Sequence, residues 1–130
     1  MSLRIRTGID VASIEDVTAA CEDRTMLDEH WTPRERVAAE GRPERLAGQW
    51  AAKEAVMKLL HAGIGEIDLR DIEIVSVDGS APVVNLTGSA RRLADSVGLV
   101  DISVSITHER GMAAAVAVGL LDAPKEVQVP

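Results

Sequence analysis

The stretch WAAKEAVMKLL, Trp50 to Leu60, decides how the rest of the chain is read. Its residues are good helix formers and apolar around most of the circumference, yet Lys53, Glu54 and Lys58 interrupt them. Trp50, Glu54 and Lys58 recur every four residues, so they stack along one side of a helix. A carboxylate in line with a tryptophan is costly to bury unless something compensates it. Lys58, another part of the protein or a metal ion could do so. Glu54 and Lys58 are also the commonest kind of surface helix pair, worth only about 0.2–0.5 kcal/mol. The neighbours Ala51, Ala55, Met57 and Leu59 argue that this helix is not on the open surface.

Working outward, the spacing predicts a long helix over about Glu44–His61, ended by Gly63 and Gly65. Before it, Thr32-Pro33-Arg34-Glu35 is a helix start: Thr32 can cap, Pro33 suits the first position and Glu35 completes a capping box. That helix stops near Gly41, with Pro43 marking the break. Leu3–Ile9 alternates as a strand does, with Leu3, Ile5, Thr7 and Ile9 on one face and Arg4, Arg6 and Gly8 on the other. Ser13 caps a short helix to about Ala20.

After the long helix, Asp71–Val77 and Pro82–Leu86 read as a hairpin joined through Asp78-Gly79-Ser80. Ser89–Val97 is a helix and Asp101–Thr107 an alternating strand. Met112–Leu120 is small and apolar throughout, as a strand buried on both faces would be, and His108–Gly111 forms the loop before it. The pattern is α+β: a mostly antiparallel sheet packed against a long central helix and shorter helices. Residues 1–121 form a single domain, and 122–130, with two prolines and mixed charge, a loosely held tail.

Composition narrows the function. At 130 residues one domain is expected, and 46% hydrophobic residues can build a core despite two Trp and no Phe or Tyr. The net charge of −7 and the scarcity of aromatics argue against nucleic acid. No apolar run reaches membrane-spanning length, and Arg4 and Arg6 interrupt any signal-peptide core. The single Cys21 cannot form an internal disulfide, which suits a reduced, cytoplasmic setting.

Three segments carry the chemistry. Asp10 ends the first strand after Gly8 and Ile9, where a glycine lets a ligand or another backbone approach closely. Asp10 could also cap a turn, although Ser13 already serves as a cap. Asp10 and Glu54, without nearby Cys, suit a hard cation, Mg²⁺ rather than Zn²⁺. Mg²⁺ takes one or two carboxylates and completes its shell with water and substrate phosphates. His108 follows a strand and opens a turn, so it should be accessible; His30 and His61 are similar candidates on residue type alone. Gly63-Ile64-Gly65 could bring backbone N–H groups to a phosphate, although a helix stop explains both glycines more simply.

Together these segments resemble the 4′-phosphopantetheinyl transferases of the holo-acyl-carrier-protein synthase type. That family has a GID-like strand end, an aromatic-small-x-Lys-Glu-Ala-x-x-Lys helix and a Ser-Ile/Leu-Ser/Thr-His turn. Here they read Gly8-Ile9-Asp10, Trp50 to Lys58, and Ser105-Ile106-Thr107-His108. RLAGQWAAKEA, RDIEIVSVDGSAPVVNLTG and AAAVAV add to a likeness covering about residues 5–120.

The resemblance implies transfer of the phosphopantetheine arm of coenzyme A to a serine of an apo acyl carrier protein, of fatty-acid or polyketide type. Adenosine 3′,5′-bisphosphate is the other product. It implies that Asp10 and Glu54 hold Mg²⁺ and that Lys58 contacts a phosphate. Lys53, Gly63 and His108 join coenzyme A binding, and a metal-held water or a side chain, Glu54 or His108, takes the serine proton. It also implies a homotrimer with sites between subunits. One departure is the acidic residue Asp16 where the family has a basic one that docks the carrier, with Asp28 and Glu29 also acidic. Two other readings remain: a non-catalytic member binding coenzyme A or a partner, and a Mg²⁺-dependent hydrolase of a pyrophosphate compound.

Overall fold

The computed structural model describes residues 2–63, 65–76 and 79–122. Two sheets and five helices follow one another as β1 (Leu3–Ser13), α1 (Ile14–Ala20), α2 (Arg24–His30), α3 (Pro33–Ala39), α4 (Pro43–Leu59), β2 (Ile72–Val75), β3 (Val83–Leu86), α5 (Gly88–Ser96), β4 (Leu99–Glu109) and β5 (Met112–Asp122). The fold is α+β, as expected. A three-stranded antiparallel sheet has the order β1-β5-β4, and β2 and β3 pair as a separate antiparallel two-stranded sheet.

Local sequence explains most boundaries. Ser13 Oγ accepts from Asp16 N at 3.1 Å and opens α1. Thr32 and Glu35 form the expected capping box on α3, with Pro33 in its first turn. Pro43 does not separate helices passively; it occupies the first turn of α4, where its missing N–H costs nothing. Glu40 and Gly41, both at positive φ, turn the chain between α3 and α4.

The end of α4 differs from expectation. His61, at φ 55°, supplies the left-handed residue, its N–H donating to Lys58 O and that of Ala62 to Met57 O. This is a Schellman closure made without glycine, so Gly63 and Gly65 lie beyond the stop. Helix α2 was not anticipated: it has seven residues and buries none of them, so it leaves no periodic apolar signal.

Helix α4 lies across one face of the three-stranded sheet, and Ala47, Ala51, Ala55, Val56 and Leu59 are buried there. The sheet meets it with small side chains, Ala113, Ala115 and Ala117 of β5, which let the backbones approach. The alternation of β1 is inverted relative to this core. Arg4, Arg6, Gly8, Asp10 and Ala12 share the register face of these alanines, while Ile5, Ile9 and Val11 are 72%, 63% and 56% exposed on the other face. Strand β5 is likewise covered on one face only, because no described element lies over Val118 and Met112. The β4–β5 turn is shorter than expected: Arg110 and Gly111, both at positive φ, are its two central residues, and His108 stays in β4 opposite Ala113. Asp122 belongs to β5; the expected tail (123–130) and the Asp78 of the hairpin turn lie outside the described residues.

Candidate active site

The site begins with a missing side chain. A Cβ on Gly8 would collide with the carbonyl oxygen of Ala55, so β1 presses its backbone against that of α4. The close approach anticipated for a glycine here is therefore to another backbone. Two residues on, and on the same face, Asp10 is carried to the side of α4 that bears Lys58. Lys58 Nζ donates to Asp10 Oδ1 at 3.1 Å and to Ile9 O at 3.0 Å.

Glu54, one turn before Lys58, shares this surroundings. Partial burial pushes its carboxyl above the usual carboxylate range, and the charge of Asp10 pushes the same way. Lys58 and His30 oppose the shift without cancelling it. The two carboxylate charges are thus close enough to act on one another, with Lys58 and His30 as the neighbouring positive influences. Among the described residues no cluster of three or more His, Cys, Asp or Glu could hold a metal ion. Asp10 and Glu54 offer two hard oxygen donors, the donor type Mg²⁺ accepts and Zn²⁺ does not favour.

An aromatic group backs the site. Trp50, one turn before Glu54, stacks on the fully buried Trp31 with centroids 5.4 Å apart and planes at 24°. His30 meets Trp50 edge-on at 5.7 Å, and its Nδ1 donates to Met26 O at 2.9 Å. His30 was one of three equivalent histidines by residue type; its place near Glu54 depends on α2. Asp23, which caps α2 by accepting from Thr25 N, was the available signal for that helix.

Lys53 is not at the site. Its ammonium is fully buried, 2.7 Å from Glu35 Oε1, and donates also to Leu69 O at 2.9 Å and Ile72 O at 2.6 Å. Its three donors are spent inside the protein. Glu35 in turn accepts from Thr32 N and Ile74 N. Burial pushes the Glu35 carboxyl up and the Lys53 amine down, and each partner's charge opposes the other's shift. The expectation that Lys53 binds a nucleotide phosphate is corrected: it ties α4 to α3 and β2. Gly63 N donates to Glu66 Oε2 at 2.7 Å, so its N–H is engaged by a carboxylate within its own loop.

His108 lies elsewhere in the chain. It lines a cavity of about 1010 Å³ with Arg45, Gly48, Gln49 and Ile106, and none of Asp10, Glu54 or Lys58 lines it. Arg45 and Gln49 lie about half a turn around α4 from Glu54 and Lys58. The structure therefore brings Asp10, Glu54 and Lys58 together and holds His108 apart from them. Gln49 joins the cavity to the aromatic group: its Oε1 accepts from Trp31 Nε1 at 3.1 Å and its Nε2 donates to Glu35 O at 2.9 Å.

Residues 6–117 match the 4′-phosphopantetheinyl transferase superfamily, ACPS. The chain is 40% identical over 116 residues to the fatty acid synthase subunit alpha of Saccharomyces cerevisiae, aligning 85% of its length to 6% of that protein. It thus spans a small part of the fungal subunits it matches. It is also 38% identical over 127 residues to the holo-[acyl-carrier-protein] synthase of Desulforudis audaxviator, covering 93% of this chain and 95% of that one. Among solved structures, the Helicobacter pylori holo-[acyl-carrier-protein] synthase in complex with coenzyme A superposes with a TM-score of 0.76 at 32% identity, covering 87% of this chain and 98% of that one.

Proposed function

Because the chain belongs to the 4′-phosphopantetheinyl transferase superfamily, in its holo-acyl-carrier-protein synthase type, we propose that it moves the 4′-phosphopantetheine arm of coenzyme A onto a serine hydroxyl of an apo acyl carrier protein, releasing adenosine 3′,5′-bisphosphate. The observation that carries this reading is the convergence of Asp10, Glu54 and Lys58 from two elements onto one spot.

Asp10 and Glu54 would hold Mg²⁺, which supplies charge neutralisation at the pyrophosphate when bound. The Glu54 carboxyl, raised first by burial and then by the charge of Asp10, supports a cation there. Lys58 offers an ammonium to the phosphate that receives the attack and steadies the charge developing on it. The attacking serine must lose a proton. Within one chain Glu54 faces that region, whereas His108 would have to reach it from a neighbouring copy.

A homotrimer with sites between subunits supplies such a copy. The uncovered apolar face of β1 and β5, with Ile5, Ile9, Val11 and Val118 exposed, supports burial against other copies. A cytoplasmic setting suits the free thiol of Cys21. No helix among the described residues is long and apolar enough to cross a membrane.

The carrier is proposed to be a less acidic one, such as a polyketide type. Helix α1 starts four residues after Asp10, so a carrier presenting serine to the site must lie near it. Its exposed residues Glu15 and Asp16, followed by Glu22 and Asp23, repel an acidic partner. The same feature favours the second reading, a non-catalytic coenzyme A binder.

Intact-mass measurement of fatty-acid and polyketide apo carriers, incubated with coenzyme A and Mg²⁺, separates the two. A phosphopantetheine-sized gain abolished by EDTA is expected, fastest on the least acidic carrier. Coenzyme A binding with no gain on any carrier would establish the second reading instead. Release of adenosine bisphosphate without a carrier would point to hydrolysis.

A further inference from the structure

Lys58 bonds two oxygens of β1 at once: the carbonyl of Ile9 at 3.0 Å and the carboxylate of Asp10 at 3.1 Å. The first anchors the ammonium to a fixed backbone point. The second occupies one of the two carboxylates assigned above to the cation. Lys58 thus stands as the cation beside Asp10. Its side chain is 57% exposed, so its flexible four-carbon stem can carry the ammonium away from Asp10 without disturbing the core.

Charge balance gives this arrangement a consequence. Asp10, Glu54 and a protonated Lys58 leave one negative charge in excess, which repels an anionic ligand and holds the ammonium in place. A divalent cation on the two carboxylates turns the excess positive. The ammonium is then repelled from Asp10, and a pyrophosphate is attracted to both charges.

We propose that Lys58 is a resident counter-ion of Asp10 that a divalent cation displaces, and that this displacement couples cation binding to binding of a pyrophosphate-bearing ligand. The proposal rests on the reading of Asp10 and Glu54 as cation ligands. It assigns Lys58 a part in the order of binding, separate from any part in the chemical step.

The test is calorimetric titration of Mg²⁺ into the full chain at constant ionic strength, with and without coenzyme A and with no carrier present. Tryptophan fluorescence provides an independent signal, since the Trp31–Trp50 stack lies one turn from Glu54. In the unaltered protein each ligand tightens the other by the same factor. In Lys58→Gln, Mg²⁺ alone binds about three- to tenfold more tightly, because a competing positive charge has gone. The mutual tightening with coenzyme A shrinks in the same variant. Lys58→Met gives the same result if charge, rather than hydrogen bonding, is responsible. Thermal melts of both variants check that each is folded, as expected for an exposed side chain. If the unaltered protein binds Mg²⁺ but Lys58→Gln binds it equally or more weakly, the counter-ion proposal is overturned while the cation site stands. If the unaltered protein binds no Mg²⁺, both fail together.

Discussion

The ammonium of Lys53 and the carboxylate of Glu35 meet at 2.7 Å with neither side chain exposed to solvent. Every donor of the lysine is used, and the carboxylate also accepts two backbone N–H groups. Lys53 and Glu54 are adjacent in sequence and carry opposite charges. One is structural and internal; the other faces the site.

Removing one partner of this pair leaves a buried charge uncompensated. Lys53→Met is expected to cost about 3–5 kcal/mol, a large share of a small domain's stability. Urea unfolding of the variant measures it. A loss below about 1 kcal/mol would show that the pair is not buried as described. Coenzyme A affinity of whatever fraction remains folded should be unchanged, since the Lys53 side chain is fully buried.

Gly8→Ala places a methyl group against the backbone oxygen of Ala55, which cannot rotate away. Overpacking of this kind costs about 1–3 kcal/mol. The strand must also move off α4, and Asp10 moves with it. Carrier modification should therefore fall by more than the lowered melting temperature accounts for. A variant that melts lower but transfers at the original rate would disconnect the glycine from the site.

The raised Glu54 carboxyl makes a pH-dependent prediction. A carboxyl whose folded value lies above its unfolded one, about 4.3, contributes stability that is fully present below the unfolded value. That contribution is lost as pH rises through the folded value. In EDTA, Glu54→Gln should then be the more stable protein at neutral pH. Because the group is partly exposed, the advantage should be about 0.5 kcal/mol. Denaturant unfolding of both proteins at several pH values should show the gap opening as pH rises and narrowing when Mg²⁺ is added. A gap independent of pH and of Mg²⁺ would count against both the shift and the cation.

The open face of β1 is expected to be covered by other copies. Ile5→Lys with Ile9→Asp should convert an oligomer into single chains in light-scattering measurements. If sites lie between subunits, activity is lost even though Asp10, Glu54 and Lys58 are untouched. A protein that is monomeric and active before substitution would contradict the trimer reading.

Much of this was legible in the sequence because it depends on near neighbours. Ser13 and the Thr32–Glu35 box announce helix starts through bonds spanning three residues. The long helix, the β2–β3 hairpin and the two last strands follow from composition and period. Glu54 and Lys58 share a helix side by spacing alone, and the Gly8-Ile9-Asp10 strand end is a local signal too.

Tertiary structure decided the rest. Which face of β1 meets α4 is set by the need for a small residue, Gly8, where two backbones touch; hydrophobic alternation taken alone favours the opposite face. Lys53 and Glu54 carry equally conspicuous charges, and only the arrival of Glu35, eighteen residues before Lys53, buries one of them. His108 lines a cavity with Arg45 and Gln49, on the side of α4 away from Glu54 and Lys58. Sequence determined the residue types and the local periods, which are short-range properties. Which charges meet, and which face lies uncovered, required the packing of segments far apart in the chain.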